Sequence, residues 1–154
     1  MWTIQQEIKK VIRELRIGSD QFRRLEVRRE HKVLQDVKRH FLTNVDASFW
    51  WEFFRYESTS RMLVHPNKWL PDLCPNEEKK VWFIPCEEEE SVYDTFPYVA
   101  VRILDECPPF EYALADKKLK WMFLENHQNV MYATGSKAVQ RLNAVQTENQ
   151  ATSG

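Results

Sequence analysis

FEYALADKKLKWMFLENHQNVMYATG, residues 110–135, is the stretch of sequence that decides the fold. It contains three apolar runs, FEYALA, KLKWMFLE and NVMYATG, with the polar groups DKK and NHQN between them. Apolar runs of this length are typical of strands, and connections this short join antiparallel neighbours. The stretch therefore predicts a three-strand antiparallel meander.

The middle run of this meander is apolar on both faces of a strand. Its residues 121–124, WMFL, are all large and apolar, and successive side chains of a strand point to opposite faces of the sheet. A strand of this kind is covered on both sides, which places it inside the sheet. The polar residues 125–129 are then expected to form the turn where an interior strand reaches the surface.

Two helices are predicted in the N-terminal third. Thr3 and Gln6 have the spacing of a capping box, an apolar stripe follows at helical spacing, and Gly18 stands where a C-terminal cap belongs. A second helix is predicted near residues 32–43. The segment before it, residues 22–29, fits a short strand or more helix.

The middle of the chain is aromatic and harder to assign. Phe49, Trp50, Phe53 and Phe54 are too apolar to be all solvated, and we expect some of them to form core with the first helix. A strand is predicted at residues 80–85. Residues 96–107 fit a helical stripe and also a strand, and the flanking prolines favour the helix.

The predicted fold class is α+β. We expect a single domain over residues 1–145, in which an antiparallel sheet packs against N-terminal helices. The sheet contains the C-terminal meander and the strand near 80–85. Ser136 is expected to cap a weaker final helix, and residues 146–154 are expected to form a disordered tail.

Composition excludes several classes of function. The 154 residues include only three glycines, and neither common glycine-rich phosphate-binding motif can be written from them. The three cysteines have no metal-ligand spacing and suit reduced thiols in a cytoplasmic protein. No secretory signal is visible, and no run reaches the ~20 apolar residues that span a bilayer. We predict no metal, no cofactor and no membrane association.

Charge is unevenly distributed along the chain. Residues 1–44 carry eleven Lys/Arg against six Asp/Glu, and residues 45–154 carry eleven against seventeen. The basic and acidic parts either face one another in the fold or mark partner surfaces. No feature of the sequence indicates an oligomeric state.

Three classes of function remain open. The first is non-enzymatic protein binding, with a basic protein such as a toxin as the partner. The residues predicted to bind are Glu87, Glu88, Glu89, Glu90, Asp94, Trp121, Asn126 and His127. The second class is an enzyme that uses His127 with Glu125 or Glu111 at the end of the sheet. No Ser or Cys nucleophile stands in a recognisable motif to support it.

The third class is nucleic-acid binding through a basic cluster at Arg23, Arg24, Arg28 and Arg29. No motif that enters a nucleic-acid groove accompanies the cluster. A solvated face or an intramolecular partner for the acidic part of the chain is therefore favoured, and nucleic acid is disfavoured as a partner.

The C-terminal half resembles a family of small uncharacterised bacterial proteins, a domain-of-unknown-function group. The shared pattern E-Y…K-K…W…E-N-H…G matches Glu111, Tyr112, Lys117, Lys118, Trp121, Glu125, Asn126, His127 and Gly135. Gln128 replaces a second histidine that is common in the pattern, which counts against a role for paired imidazoles. The resemblance implies a bacterial cytoplasmic protein, and by analogy of size and fold it suggests an immunity protein that neutralises a toxin.

Overall fold

The computed structural model describes residues 2–87 and 89–146. The helices are α1 (Ile4–Leu15), α2 (Val27–Phe41), α3 (Leu70–Leu73), α4 (Pro97–Glu106) and α5 (Ser136–Asn143). The strands are β1 (Phe22–Arg24), β2 (Ser58–Met62), β3 (Val81–Pro85), β4 (Tyr93–Thr95), β5 (Tyr112–Ala115), β6 (Met122–Glu125) and β7 (Val130–Thr134). They form one antiparallel sheet in the order β1-β4-β3-β5-β6-β7-β2. The predicted α+β class is confirmed.

The meander is confirmed as β5, β6 and β7. Tyr112 pairs with Glu125 across β5 and β6, and Met122 pairs with Thr134 across β6 and β7. β6 lies inside the sheet and contributes to a core on each face. Trp121 and Phe123 lie in one core, and Met122 and Leu124 lie in the other.

Helices cover both faces of the sheet. Helices α1, α3, α4 and α5 contribute to the core on one face, and α2 contributes to the core on the other. Trp50 is buried with Val37 and Phe41 in the α2 core, so the expectation that the aromatic segment packs on the first helix is wrong. That segment faces α2 because Leu42 and Phe54 form a β-bridge directly after this helix.

The predicted caps are right at one helix end and wrong at two. Thr3 and Gln6 form the capping box of α1. The left-handed residue at its C-terminus is Arg16, with φ 55°, and Gly18 instead accepts hydrogen bonds from Gln21 and Phe22 in the turn toward β1. Ser136 is the first residue of α5, and the N-cap position of this helix is occupied by Gly135, which has no side chain that could cap it.

The second helix begins at Val27, earlier than predicted. Val27 is 83% exposed, so the first turn of α2 carries no apolar stripe that a periodicity argument detects. Both alternatives for residues 22–29 hold in part, because β1 occupies the first three positions and α2 begins at the sixth. Residues 96–107 are helical, as favoured, and α4 places Pro97 in its first turn.

The predicted tail lies outside the described residues except for Gln146. Cys74, Cys86 and Cys107 are free thiols. Across residues 2–87 and 89–146, no helix has the length and apolar character needed to cross a membrane.

Candidate functional site

One end of the sheet gathers chain segments that are far apart in sequence. Pro85 at the end of β3 pairs with Tyr112 at the start of β5, and Tyr112 pairs with Glu125 at the end of β6. Val130 at the start of β7 pairs with Met62 at the end of β2. We call the surface at this end the sheet rim: Met62, Glu87, Glu89, Glu111 and residues 125–129.

The turn within the rim is built by Asn126. Its side chain is buried, and its Oδ1 accepts the backbone N–H groups of Gln128 at 3.0 Å and Val130 at 3.1 Å. Asn129 adopts the left-handed conformation, with φ 61°, which asparagine tolerates better than most residues. The side-chain oxygen of Asn126 therefore stabilises the turn.

Glu111 positions His127 within this turn. Its Oε2 accepts the backbone N–H of His127 at 2.9 Å and lies 2.5 Å from the ring atom Nδ1. The His127 side chain is 58% exposed, and that of Glu111 is 15% exposed. The carboxylate thus orients a solvent-facing imidazole and leaves Nε2 without a hydrogen bond to any described residue.

Glu125 belongs to a different pair. Its Oε1 accepts the hydroxyl of Tyr112 at 2.8 Å. Burial raises the pKa of the Glu125 carboxyl and that of the Tyr112 hydroxyl. Glu111 and Tyr112 are neighbours on one chain and point to opposite faces, so the structure brings His127 to Glu111 and separates it from Glu125.

Aromatic side chains continue the surface beside His127. The Trp51 ring lies 5.9 Å from the His127 ring and 6.1 Å from the Tyr132 ring, measured between centroids. Phe49 packs on Trp51 at 5.1 Å and is 48% exposed. We call Phe49, Trp51, His127 and Tyr132 the aromatic patch. The sequence marks the segment around Trp50 as aromatic but does not place Trp51 against His127.

The predicted acidic site is split by the fold. Glu87 and Glu89 are exposed, whereas Glu90 forms an ion pair with Lys38. Asp94 lies in β4, where its Oδ1 is 2.7 Å from Lys117 Nζ. Trp121 is buried before β6 and stands apart from the exposed carboxylates. Glu88 lies outside the described residues.

The basic cluster is also divided between internal partners. Arg24 binds Glu30 through two hydrogen bonds, and Arg23 lies 3.9 Å from Asp94. Arg29 lies over the Trp82 ring at 5.5 Å. The pairing of Arg23 with Asp94 and of Lys38 with Glu90 joins the basic and acidic parts of the chain, as favoured from the sequence.

The chemistry available at the rim is limited. Cys86 lies close to Glu111, but burial raises the pKa of its thiol, and the carboxylates of Glu90 and Glu111 add to the shift. The thiolate needed for nucleophilic attack is therefore disfavoured. In the described part of the chain, no group of three or more His, Cys, Asp or Glu side chains is placed to hold a metal ion.

A family model described as "Family of unknown function (DUF6756)" matches residues 1–146. The match includes the whole sheet, the rim and the aromatic patch. No curated protein and no solved structure matches the chain significantly.

Proposed function

This chain belongs to the family of unknown function DUF6756, and we propose that it is a non-enzymatic protein-binding domain. Its contact surface is the sheet rim together with the aromatic patch. One observation carries the proposal: the imidazole of His127 is fixed by Glu111, open to solvent and flanked by the ring of Trp51.

The composition of this surface supports the proposal. Aromatic residues are enriched at protein interfaces, and Trp and Tyr are enriched among the residues that dominate binding energy. Phe49 remains 48% exposed although it packs on Trp51, so apolar area remains to be buried by a partner. Side chains already held in place lose less conformational entropy on association. Trp51 and His127 are held in this way.

Charge favours a basic partner. Glu87 and Glu89 are exposed where the chain leaves β3, beside Glu111 at the start of the neighbouring β5. Carboxylates in this position attract a basic surface and accelerate its association. The concrete form of the proposal is an immunity protein that neutralises a bacterial toxin. It acts in the bacterial cytoplasm, where its free cysteines stay reduced.

The experiment compares three immobilised full-length chains in a pull-down from the native host. The chains are wild type, Trp51→Ala and a matched control, Tyr98→Ala. Tyr98 is an exposed aromatic residue of α4, 46% accessible, outside the rim and the patch. We expect a protein that wild type and Tyr98→Ala capture and Trp51→Ala loses. Equal recovery by all three chains, or by none, contradicts the proposal.

A second comparison tests the charge of the partner. Glu87→Lys with Glu89→Lys reverses two charges at the rim. Glu77→Lys with Glu78→Lys makes the same change in the exposed loop before β3, at the other end of that strand. With the captured protein, the first double variant should slow association and weaken its salt dependence, and the second should behave like wild type. An effect of equal size in both pairs excludes a specific role for the rim carboxylates.

The Glu111–His127 pair also has the geometry of an acid–base dyad, which is the observation that favours an enzyme. An enzyme site is normally a concave pocket. On the described part of the chain, two surface depressions are lined by other residues, one by Glu77, Glu78, Phe96 and Tyr98, and one by Arg23, Arg24, Leu25, Glu26 and Arg29. We therefore place the enzymatic function second.

A further inference from the structure

A surface depression of about 340 Å³ lies between β1 and the first turn of α2. It is lined by Arg23, Arg24, Leu25, Glu26 and Arg29. Three of these five lining residues are arginines, and one is a glutamate. The depression shares no residue with the sheet rim or the aromatic patch, so the proposed protein binding does not account for it.

Arg24 is the fixed member of this group. Its Nε and Nη2 bind the two carboxylate oxygens of Glu30 at 3.0 and 3.1 Å. Glu30 in turn accepts the backbone N–H of Val92 at 3.0 Å. This arrangement uses one edge of the guanidinium and leaves Nη1 without a hydrogen bond to the described residues. Arg24 is therefore a preorganised donor at the depression.

Arg23 and Arg29 have weaker charge compensation. Asp94 is 3.9 Å from Arg23 Nη2, but it makes its shorter contact, 2.7 Å, with Lys117 Nζ. Arg29 stacks over Trp82 and makes no ion pair with any described carboxylate. Arg29 therefore has no carboxylate partner among the described residues, and Arg23 shares its partner with Lys117.

We propose that this depression binds the phosphate group of a small phosphorylated molecule. The planar fork of arginine matches phosphate oxygens in pairs, and charge-assisted hydrogen bonds of this type are the strong ones. A polymer is disfavoured as the source of the phosphate. Binding along a nucleic-acid backbone uses a row of cations, whereas these arginines line a single depression and one edge of Arg24 is occupied by Glu30.

The experiment is an NMR titration of the full-length chain with phenyl phosphate, followed through backbone and arginine Nε–Hε signals. Benzoate is the control ligand, because it carries the same ring on a carboxylate. We expect saturable shifts confined to residues 23–29, with weaker binding of benzoate. Arg29→Gln and Arg23→Gln should each weaken phenyl phosphate about tenfold, the effect of losing one charge-assisted hydrogen bond.

Arg39→Gln is the matched control variant, since it removes the same charge from an exposed position near the other end of α2. Arg24 is left intact because its removal would leave Glu30, a buried carboxylate, without its cation. Shifts that do not saturate, or equal losses in Arg29→Gln and Arg39→Gln, overturn the site. A twenty-nucleotide oligothymidine that binds more tightly than phenyl phosphate, with a steep salt dependence, overturns the small-molecule ligand in favour of nucleic acid.

Discussion

Glu111 holds His127 twice through a single oxygen, since Oε2 bonds both the backbone N–H and the ring Nδ1 of a residue sixteen positions away. The first bond fixes the backbone of the β6–β7 turn, and the second fixes the plane of the imidazole. A turn residue held only by its neighbours would leave that ring free to rotate. The contact therefore joins the stability of the turn to the orientation of the side chain that the proposed interface uses.

Substitutions at Glu111 and His127 distinguish the contribution of the backbone hydrogen bond from that of the ring hydrogen bond. Glu111→Ala removes both and should lower the free energy of unfolding by about 1–3 kcal/mol, whereas His127→Ala keeps the backbone bond and should cost about 0.5–1.5 kcal/mol. Urea denaturation of both variants and of the double variant measures the difference. If His127→Ala is the more destabilising of the two, the ring matters to the fold for a reason other than Glu111.

Asn126 should matter to the fold more than its polar neighbours in the turn. Asn126→Ala leaves the N–H groups of Gln128 and Val130 without their acceptor, which should cost about 1–3 kcal/mol of stability. Gln128→Ala, at an exposed position of the same turn, should stay within about 0.5 kcal/mol of wild type. Thermal or urea denaturation compares them. Equal stability of the two variants would show that the side-chain carbonyl does not support the turn.

The meander was predictable because its signals are local. Residues 121–124 are apolar at every position, which is typical of an interior strand, and NHQN supplies the residue types that turns favour. The prediction that Asn126 lies in a turn has the same local basis, because asparagine is a residue type that turns favour. The first turn of α2 was not predicted because Val27, Arg28 and Arg29 are exposed and its buried residue, Glu30, is charged, so the turn shows no apolar periodicity.

The site depends on contacts that are distant in sequence. Trp51 reaches His127 only because the segment after α2 folds over the β6–β7 end of the sheet. Asp94 and the exposed carboxylates, near neighbours in sequence, separate because Asp94 returns along β4 to Lys117. A pattern of residue types shows which groups are present, but strand order decides which of them meet. For this reason Glu111, and not Glu125, is the partner of His127.

Gly135 should be the glycine that the fold cannot replace. Its φ is +93°, and an added Cβ would lie 2.2 Å from the Lys120 carbonyl oxygen and 2.8 Å from Trp121 Cα. Both obstacles are backbone, so Gly135→Ala should cost more than about 3 kcal/mol. At Gly18 the obstacle, 2.6 Å away, is the movable carboxylate of Asp20, and Gly18→Ala should cost less than about 1 kcal/mol. Chemical denaturation tests the order, and a mild effect at Gly135 would contradict the close approach.

The three thiols should react slowly in the native state. Burial raises the pKa of Cys107 to about 12 and raises those of Cys74 and Cys86 above the ordinary value of 9.0. For Cys107 this lowers the thiolate fraction at neutral pH about a thousandfold, because each pKa unit is a factor of ten. Ellman's reagent at pH 8 should therefore label the folded chain far more slowly than the chain in guanidinium chloride. Rapid labelling of Cys86 in the native protein would instead support a reactive thiol beside the rim.

Glu125 should make the stability of the fold depend on pH. Burial raises the pKa of its carboxyl above the ordinary value of 4.5, against the opposing effect of the Tyr112 hydrogen bond. Between pH 4.5 and the raised pKa, the native state then holds more protons than the unfolded state. The contribution of Glu125 to stability therefore falls as pH rises through that interval and is constant above it.

Glu125→Gln removes this dependence, and the stability of the variant relative to wild type should increase with pH over the same interval. Urea denaturation at a series of pH values measures the difference, with Glu57→Gln, at an exposed position, as the control. A relative stability that falls with rising pH would mean that the carboxylate is stabilised in the native state, and that the Tyr112 bond outweighs burial.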